Sequence, residues 1–456
     1  MKTYYIKTLG CQMNEHDSER IGGLLENLHY KKAPEPKNFK DLEADIVVIN
    51  TCAVRQAAAT RLYGNLGQLL DKKRHSKNMI IAVAGCLAQL DRENIIKKAP
   101  WVDIVFGTNN LQSLPVLINR VKHNAKNAVE IAEHLEVFPS TLPVVRSNPV
   151  SAWVSISVGC NERCTFCIVP TLRGKEIDRQ SDDILNEVKS LVKNGYCEIT
   201  LLGQNVNSYG NKATKAEEKI NFAQLLDKIS AIRDLKRLRF MSPHPASFTD
   251  DVIEIMSKRP NIMPSIHLPL QSGSDKVLKD MKRSYKISHF QKIVQKLRSS
   301  IPNIEITTDI IVGFPTETDS DFQKTLEVID QTKFLSAYTF IYSTRPGTPA
   351  ARLPQLDKAT VKKRFDQLAK LQSKIMLDKH KTYQNKIVKV LTENAHGRKD
   401  QQTKRITGRE EHGILVHFTS NKTINSGDIV NVYIEYAAPS HLIGRLAEER
   451  NTQSTK

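Results

Sequence analysis

Three cysteines crowd into one short stretch, Val158-Gly159-Cys160-Asn161-Glu162-Arg163-Cys164-Thr165-Phe166-Cys167, and one loop of that length can present three thiolates to a single metal centre. A structural zinc site closes its tetrahedron with four protein ligands. A 4Fe-4S cluster held by only three cysteines leaves one iron open to a small molecule, and chemistry would happen there. A zinc knuckle that borrows a distant fourth ligand has the same local spacing, so the loop by itself leaves both readings open.

A second set of three cysteines is dispersed. Leu9-Gly10-Cys11, Asn50-Thr51-Cys52 and Ala84-Gly85-Cys86 each place one directly after an apolar run. The elements that must position them read as strands over 3–9, 45–50, 79–84 and 103–106, alternating with helical spacing over 15–28, 53–70 and 111–122. Such alternation predicts an amino-terminal open parallel sheet covered by helices. Ligands of these sheets sit outside the carboxyl ends of strands spaced about 4.8 Å apart, so three cysteines far apart in sequence converge. Each could instead be a small buried hydrophobe. Repetition at three equivalent strand ends favours a second three-thiolate site, with Gly10 and Gly85 allowing close backbone approach.

Periodicity fades over 124–150 and prolines appear, which reads as a linker. Six strand-like runs then alternate with helical patterns, over 152–158, 198–202, 237–241, 265–270, 305–312 and 336–342. They predict a partial (β/α)6 barrel, open on one side. Barrel enzymes keep their sites at the carboxyl ends of the strands, and these strands finish in polar residues, Gln204, His244 and Gln271 among them. His244, between two prolines, lines the mouth or stiffens a turn, and Cys197 reads as core. After a helical stretch over 358–381, five short strands (387–392, 405–409, 414–417, 429–436 and 442–446) predict a small OB-like β-barrel. The fold class is α/β.

Usage of 40% hydrophobic and 25% charged residues over 456 positions is that of a globular chain with two or three domains. Sixty-seven Lys and Arg against 49 Asp and Glu leave a net charge of +18, which favours a polyanionic partner. Lys389, Arg398, Lys404, Arg405 and Arg409 would give the last barrel a nucleic-acid face. No signal-peptide layout and no bilayer-length apolar run is present, so a cytoplasmic location with no membrane partner is expected. There thiols stay reduced, and seven cysteines suggest metal ligation before disulfides.

Residues 159–179 (GCNERCTFCIVPTLRGKEIDR) resemble the cluster loop of radical S-adenosylmethionine enzymes of the methylthiotransferase branch. The resemblance covers nearly the whole chain: the amino-terminal three-cysteine domain, LLGQNVNSY from Leu201, HLPLQSGSD from His267 and TDIIVGFP from Thr308. Ser242-Pro243-His244-Pro245 is similar to the MiaB family, which puts a methylthio group on N6-isopentenyladenosine of tRNA. Sister groups act on threonylcarbamoyl-adenosine or on a ribosomal-protein aspartate. Arg173, Gly174, Glu176 and Arg179 fit the pattern; Thr171 stands where the family usually has an aromatic residue.

The resemblance implies two 4Fe-4S clusters, a radical-generating one on Cys160, Cys164 and Cys167 and an auxiliary, sulfur-handling one on Cys11, Cys52 and Cys86. It implies S-adenosylmethionine as co-substrate, two per turnover, with Gln204 and Asp309 as candidate contacts. Gln204 could equally be a turn-stabilising amide, and Asp309, an acid inside a barrel, could equally be paired with a cation. The implied domains are 1–122, a linker over 123–150, the radical core over 151–380, a TRAM domain over 381–447 and a tail over 448–456. The implied partners are tRNA isopentenylated in the anticodon loop and a small electron-donor protein. The site is expected between the first two domains, with the basic barrel holding the RNA over it. Action on threonylcarbamoyl-adenosine tRNA, or a non-catalytic iron-sulfur RNA-binding role, are the alternative functions.

Overall fold

The computed structural model describes residues 1–447 apart from 54–55, 77, 124–126, 134, 136–137, 212–219, 394–402 and 404. Arg398, Lys404 and the tail over 448–456 lie outside the described residues. Six parallel strands build the amino-terminal sheet: β1 (Thr3–Leu9), β2 (Lys31–Lys32), β3 (Ile46–Thr51), β4 (Ile80–Ala84), β5 (Ile104–Phe106) and β6 (Ala128–Glu130), ordered β2-β1-β3-β4-β5-β6. Their helices are α1 (Gln12–Asn27), α2 (Gln56–His75), α3 (Cys86–Asp91), α4 (Glu93–Lys98) and α5 (Leu114–Lys122). Every residue of β3 and β4 is buried, as strands covered on both faces require. Ile21, Leu25 and Leu117 cover Val48 and Ala82 on one face, while Leu62, Leu66 and Leu69 cover Val47, Ile49 and Ile81 on the other. Each of these buried Val, Ile and Leu side chains contributes about 1.5–3 kcal/mol. The order reverses between β1 and β3, and the crevice of such a sheet opens at that switch point.

The expected linker does more than join. Its residues 128–130 add the sixth strand, and the Val145 amide donates to the Glu19 carbonyl at 3.0 Å, strapping the segment across α1. Three strand residues are too few to show a period, which is why they read as irregular.

The central unit opens with β7 (Ser151–Ser155) and the antiparallel pair β8 (Ser157–Val158) and β9 (Ile177–Asp178), which brackets the cysteine loop and α6 (Val169–Arg173). It continues as α7 (Ser181–Lys193), β10 (Glu198–Leu202), α8 (Phe222–Ser230), β11 (Arg237–Phe240), α9 (Asp250–Lys258), β12 (Ser265–His267), α10 (Asp275–Asp280), α11 (Ile287–Ser300), β13 (Glu305–Val312), α12 (Asp319–Thr332) and β14 (Ser336–Ile341). The strands form two parallel sheets, β11-β10-β7 and β12-β13-β14, linked by a bridge between Leu238 and Ile262. This is the partial six-stranded barrel that the pattern predicts. Along β13 burial alternates: Ile306, Ile310 and Val312 pack under the helices, leaving Thr307, Asp309 and Ile311 half-buried on the inner face. The strand expected over 265–270 stops at His267. Pro269 has no N–H for a ladder, and the Leu270 amide goes to Thr308 Oγ1 at 2.9 Å instead.

After β14 the chain runs through α13 (Lys358–Lys381), about 36 Å long at 1.5 Å per residue. Val361 at its start packs on Gly313 at the carboxyl end of β13, and Lys379 at its end pairs with Glu305 at the amino end of the same strand (2.6 Å). The helix thus returns the chain to the bottom of the barrel. There β15 (Ile387–Thr392), β16 (Ile406–Arg409), β17 (Leu415–Thr419), β18 (Ile429–Ala437) and β19 (Leu442–Leu446) close into a barrel ordered β15-β16-β17-β19-β18. The small barrel itself therefore does not lie over the cysteine loop. Buried Arg237, at the amino end of β11, donates to the carbonyls of Lys389, Arg409 and Glu410 (2.9–3.3 Å), and Ser265 Oγ donates to the His412 carbonyl at 3.1 Å. These contacts seat it against the amino ends of the strands, opposite the cysteine loop.

Candidate functional site

The loop trio is built by pinning a short turn at several points. Gly159 has φ +79°, and a Cβ there would lie 2.2 Å from the Lys175 carbonyl oxygen, so only glycine lets β8 turn into the loop. The Cys160 amide donates to the Gly174 carbonyl at 3.2 Å and the Cys167 amide to the Cys164 carbonyl at 3.1 Å. Between them Thr165 is tied to the barrel: its amide to Met281 O (3.0 Å), its Oγ1 to Asp280 O (2.9 Å), and its own carbonyl accepting from Ala350 (3.0 Å). Arg283 points a guanidinium N–H at Cys164 Sγ at 3.5 Å. Burial, reinforced by the neighbouring cysteines, pushes the Cys160 thiol up to about 12 and the Cys167 thiol up to about 11.

The amino-terminal trio is assembled by the sheet. Cys11 caps α1 with its sulfur accepting from the Asn14 amide, Cys52 follows β3, and Cys86 opens α3 after Gly85. Gly85 has φ +91° and no room for a Cβ, which would meet Asn50 Oδ1 at 2.2 Å and Thr51 O at 2.7 Å. The Cys52 thiol hydrogen-bonds to Cys11 and lowers it to about 5, with Arg173 and the α1 amides adding to the effect. Cys86 moves the other way because it is fully buried, although Arg173 lies within hydrogen-bond reach of it.

Behind this trio lies a buried ionic group. Arg173 donates to Asp17 (2.7 Å), Arg146 bridges Glu19 (2.9 Å) and Glu187, and Arg179 also holds Glu187. Arg20 and Arg179 stack their guanidinium groups 5.2 and 5.5 Å from the centroid of the Phe138 ring. Four guanidinium groups thus share three carboxylates, and His16, fully buried among the arginines, is held neutral. A buried charge needs a partner, and the cysteines facing Arg173 are where the missing negative charge belongs.

Each trio offers the three thiols that a 4Fe-4S site with one open iron needs, one ligand short of a structural zinc site. Among the described residues no three His, Cys, Asp or Glu side chains converge on one point, as the ligands of a single ion must. Cysteines of a cluster bind different irons and stand farther apart. Cys160 and Cys167, held protonated by burial, become thiolates only against a positive centre, whereas Cys11 is already lowered by Cys52 and Arg173.

Of the remaining candidates, Gln204 lies half-buried at the carboxyl end of β10. Its neighbour Asn205 and nearby Ser157 keep buried side-chain oxygens with no hydrogen-bond partner, which fits a ligand that donates hydrogen bonds, such as an ammonium group. Asp309 lies on the barrel's inner face and pairs with His267 Nε2 at 3.3 Å. His244 is buried; its Nδ1 accepts from the Ala246 amide, its ring meets Tyr285, and burial pulls it down to about 3, so it stays neutral. Cys197 packs with Val150 and Leu391 at the opposite end of the barrel, away from both trios. Thr171 is exposed on α6. A cavity of about 1300 Å³ opens at the amino ends of the first sheet among Thr3, Asp45, Lys72 and Met79, and is lined by none of the six cysteines. Sequence reasoning placed Arg173 and Asn205 in motifs without giving either a role at the site, and it missed Arg283 altogether.

Comparison with known proteins follows the same division. The family described as "Uncharacterized protein family UPF0004" matches residues 3–107 and the Radical SAM superfamily matches residues 154–329. A Mycobacteroides abscessus protein named tRNA-2-methylthio-N(6)-dimethylallyladenosine synthase is 54% identical over 451 residues, covering 97% of this chain and 88% of that protein. A Streptomyces coelicolor protein of the same name is 52% identical, covering 99% of this chain and 89% of its own. Among solved structures, the radical S-adenosylmethionine methyltransferase TsrM of Kitasatospora setae, with cobalamin and a [4Fe-4S] cluster bound, aligns at a TM-score of 0.52 and 11% identity over 77% of each chain. With tryptophan and a cofactor analogue bound it aligns at 0.53 over 86% of this chain and 79% of its own. At that identity the likeness is one of fold.

Proposed function

The chain belongs to the tRNA-2-methylthio-N(6)-dimethylallyladenosine synthase family, and from that membership we propose that it adds a methylthio group to carbon 2 of N6-isopentenyladenosine beside the tRNA anticodon, with one cysteine trio for each half of the chemistry. Its radical SAM region implies a 4Fe-4S cluster and S-adenosylmethionine. When bound, these supply a radical, which is needed because the adenine C2–H bond is not acidic enough for a side-chain base.

The chain's own residues do the holding. Cys160, Cys164 and Cys167 would ligate the radical-generating cluster, with Arg283 donating to Cys164. Gln204 would meet the amino end of S-adenosylmethionine, while Asp309, in contact with His267, would reach it from the inner face. Cys11, Cys52 and Cys86 would hold the auxiliary cluster that handles the sulfur, and a second S-adenosylmethionine would bring the methyl group. The radical core over 151–380 and the small TRAM barrel over 381–447 would act on one RNA. Because that barrel packs beneath the catalytic one, the RNA would run along the side of the molecule to touch both. A small electron-donor protein would supply the reducing electron.

The observation that carries the reading is that both trios lie at one end of the molecule: Cys11 packs in the same apolar cluster as Val158, Leu202 and Met241, at the mouth of the barrel. The test is nucleoside mass spectrometry of tRNA from cells lacking this protein. Isopentenyladenosine should accumulate without its 2-methylthio form; unchanged 2-methylthio-isopentenyladenosine would contradict the substrate.

A further inference from the structure

Arg173 occupies a position from which both trios are reached. The carbonyl of Gly174, next in the chain, accepts the Cys160 amide at 3.2 Å. The side chain of Arg173 runs the other way, donating to Asp17 Oδ2 at 2.7 Å, with both side chains only 6% exposed, and lying against Cys86 with Cys11 close by. The helix that carries it is docked on the first sheet: Thr108 Oγ1 donates to the Leu172 carbonyl at 3.1 Å, and Ile168 and Leu172 are buried in the core shared with α2 and β4. In the ionic group behind the amino-terminal cysteines, Arg173 is the guanidinium that faces sulfur. Charge and hydrogen bonds at the sulfurs set the potential of an iron-sulfur cluster.

We propose that Arg173 is a positioning residue for the amino-terminal trio: carried on the helix that closes the other trio's loop, its guanidinium balances the charge of a cluster on Cys11, Cys52 and Cys86 and raises that cluster's reduction potential. The two trios are thereby built as one unit. This rests on the reading that each trio holds a cluster.

The experiment uses the full chain with Cys160, Cys164 and Cys167 replaced by Ala, reconstituted anaerobically, with iron per chain and the midpoint potential followed by electron paramagnetic resonance. Arg173→Gln is expected to lose half or more of the bound iron and to shift the remaining cluster down by about 59 mV, a tenfold change in the one-electron equilibrium. Arg173→Lys, which keeps the charge, is expected to hold the potential of the parent. Because Gln strands Asp17 in the interior, the pair Arg173→Gln with Asp17→Asn removes both charges; it should fold as the parent does by circular dichroism and show a potential between those of the parent and of Arg173→Gln, since the Asp17 charge opposes that of Arg173 at Cys86. Unchanged iron and potential in Arg173→Gln, or full recovery in the double variant, would overturn the proposal and leave Arg173 as Asp17's partner alone. A parent that binds no iron would instead remove the amino-terminal cluster itself.

Discussion

The two cysteine trios reach the same composition by opposite routes. Cys160, Cys164 and Cys167 are neighbours in sequence, and the fold's work is to pin their loop through Thr165 and Gly159. Cys11, Cys52 and Cys86 are brought together only when β1, β3 and β4 pair. Their electrostatics differ as well: burial holds Cys160 and Cys167 protonated, whereas in the other trio Cys11 is lowered to about 5 by Cys52 and Arg173 while burial raises Cys86. A locally encoded site can leave its ligands to wait for the metal. Each site has a guanidinium, but Arg283 reaches the loop trio from the barrel itself, whereas the charge at the trio assembled across the sheet is lent by the other trio's helix.

The largest test of this comparison is to remove one trio at a time. Replacing Cys160, Cys164 and Cys167 by Ala should bring release of 5′-deoxyadenosine from S-adenosylmethionine to background. Replacing Cys11, Cys52 and Cys86 should keep that release and abolish the methylthio product. If the second set also abolished release, the division of labour would be wrong.

Backbone changes sharpen the contrast. Gly85→Ala forces a side chain into φ +91° against Asn50 and Thr51, at a cost of about 1–3 kcal/mol, and should deplete iron at the amino-terminal trio alone. Gly159→Ala, at φ +79° against Lys175, should deplete the loop trio alone. Gly64→Ala, on α2 with nothing within 4 Å, should stabilise the chain by roughly 0.5–1 kcal/mol, read as a raised melting temperature. Equal iron loss in all three would mean that the glycines act through general stability.

A pH series separates the trios in metal-free protein. With Cys11 ionised above about 5, iodoacetamide at pH 7 should label it well ahead of Cys160 and Cys167, whose thiols ionise only near 12 and 11. The linkage signs are opposite. The lowered Cys11 adds stability above the ordinary thiol value of about 8.5, and this is lost as pH falls through 5. The raised Cys160 and Cys167 cost stability progressively as pH climbs from 8.5 toward 12. Peptide mapping that found Cys160 labelled first would reverse the comparison. The smallest effect belongs to Asp309→Asn, which should raise the S-adenosylmethionine KM roughly fivefold, for about 1 kcal/mol of lost hydrogen bonding. An unchanged KM would confine Asp309 to pairing with His267.

Much of this was legible before any coordinates. The strand over 305–312 is found at those residues, and the three cysteine-bearing strand ends could be read because strand-like runs stop at Gly10, Thr51 and Gly85. The ionic group around Arg173 was not legible, because pairs such as Arg146 with Glu19 or Arg173 with Asp17 span more than a hundred residues and leave no period. Residues 128–130 were too few to announce a strand. The seat of the small barrel was hidden for another reason: Arg237 binds backbone carbonyls, which every sequence has, and the direction of α13 is settled only by which strand ends it touches.

The central claim is two clusters on two trios, and iron per chain in anaerobically reconstituted full-length protein tests it most directly. Two 4Fe-4S centres require about eight irons, falling to about four when either trio is replaced. About four irons in the unaltered chain, unchanged by removing Cys11, Cys52 and Cys86, would contradict it.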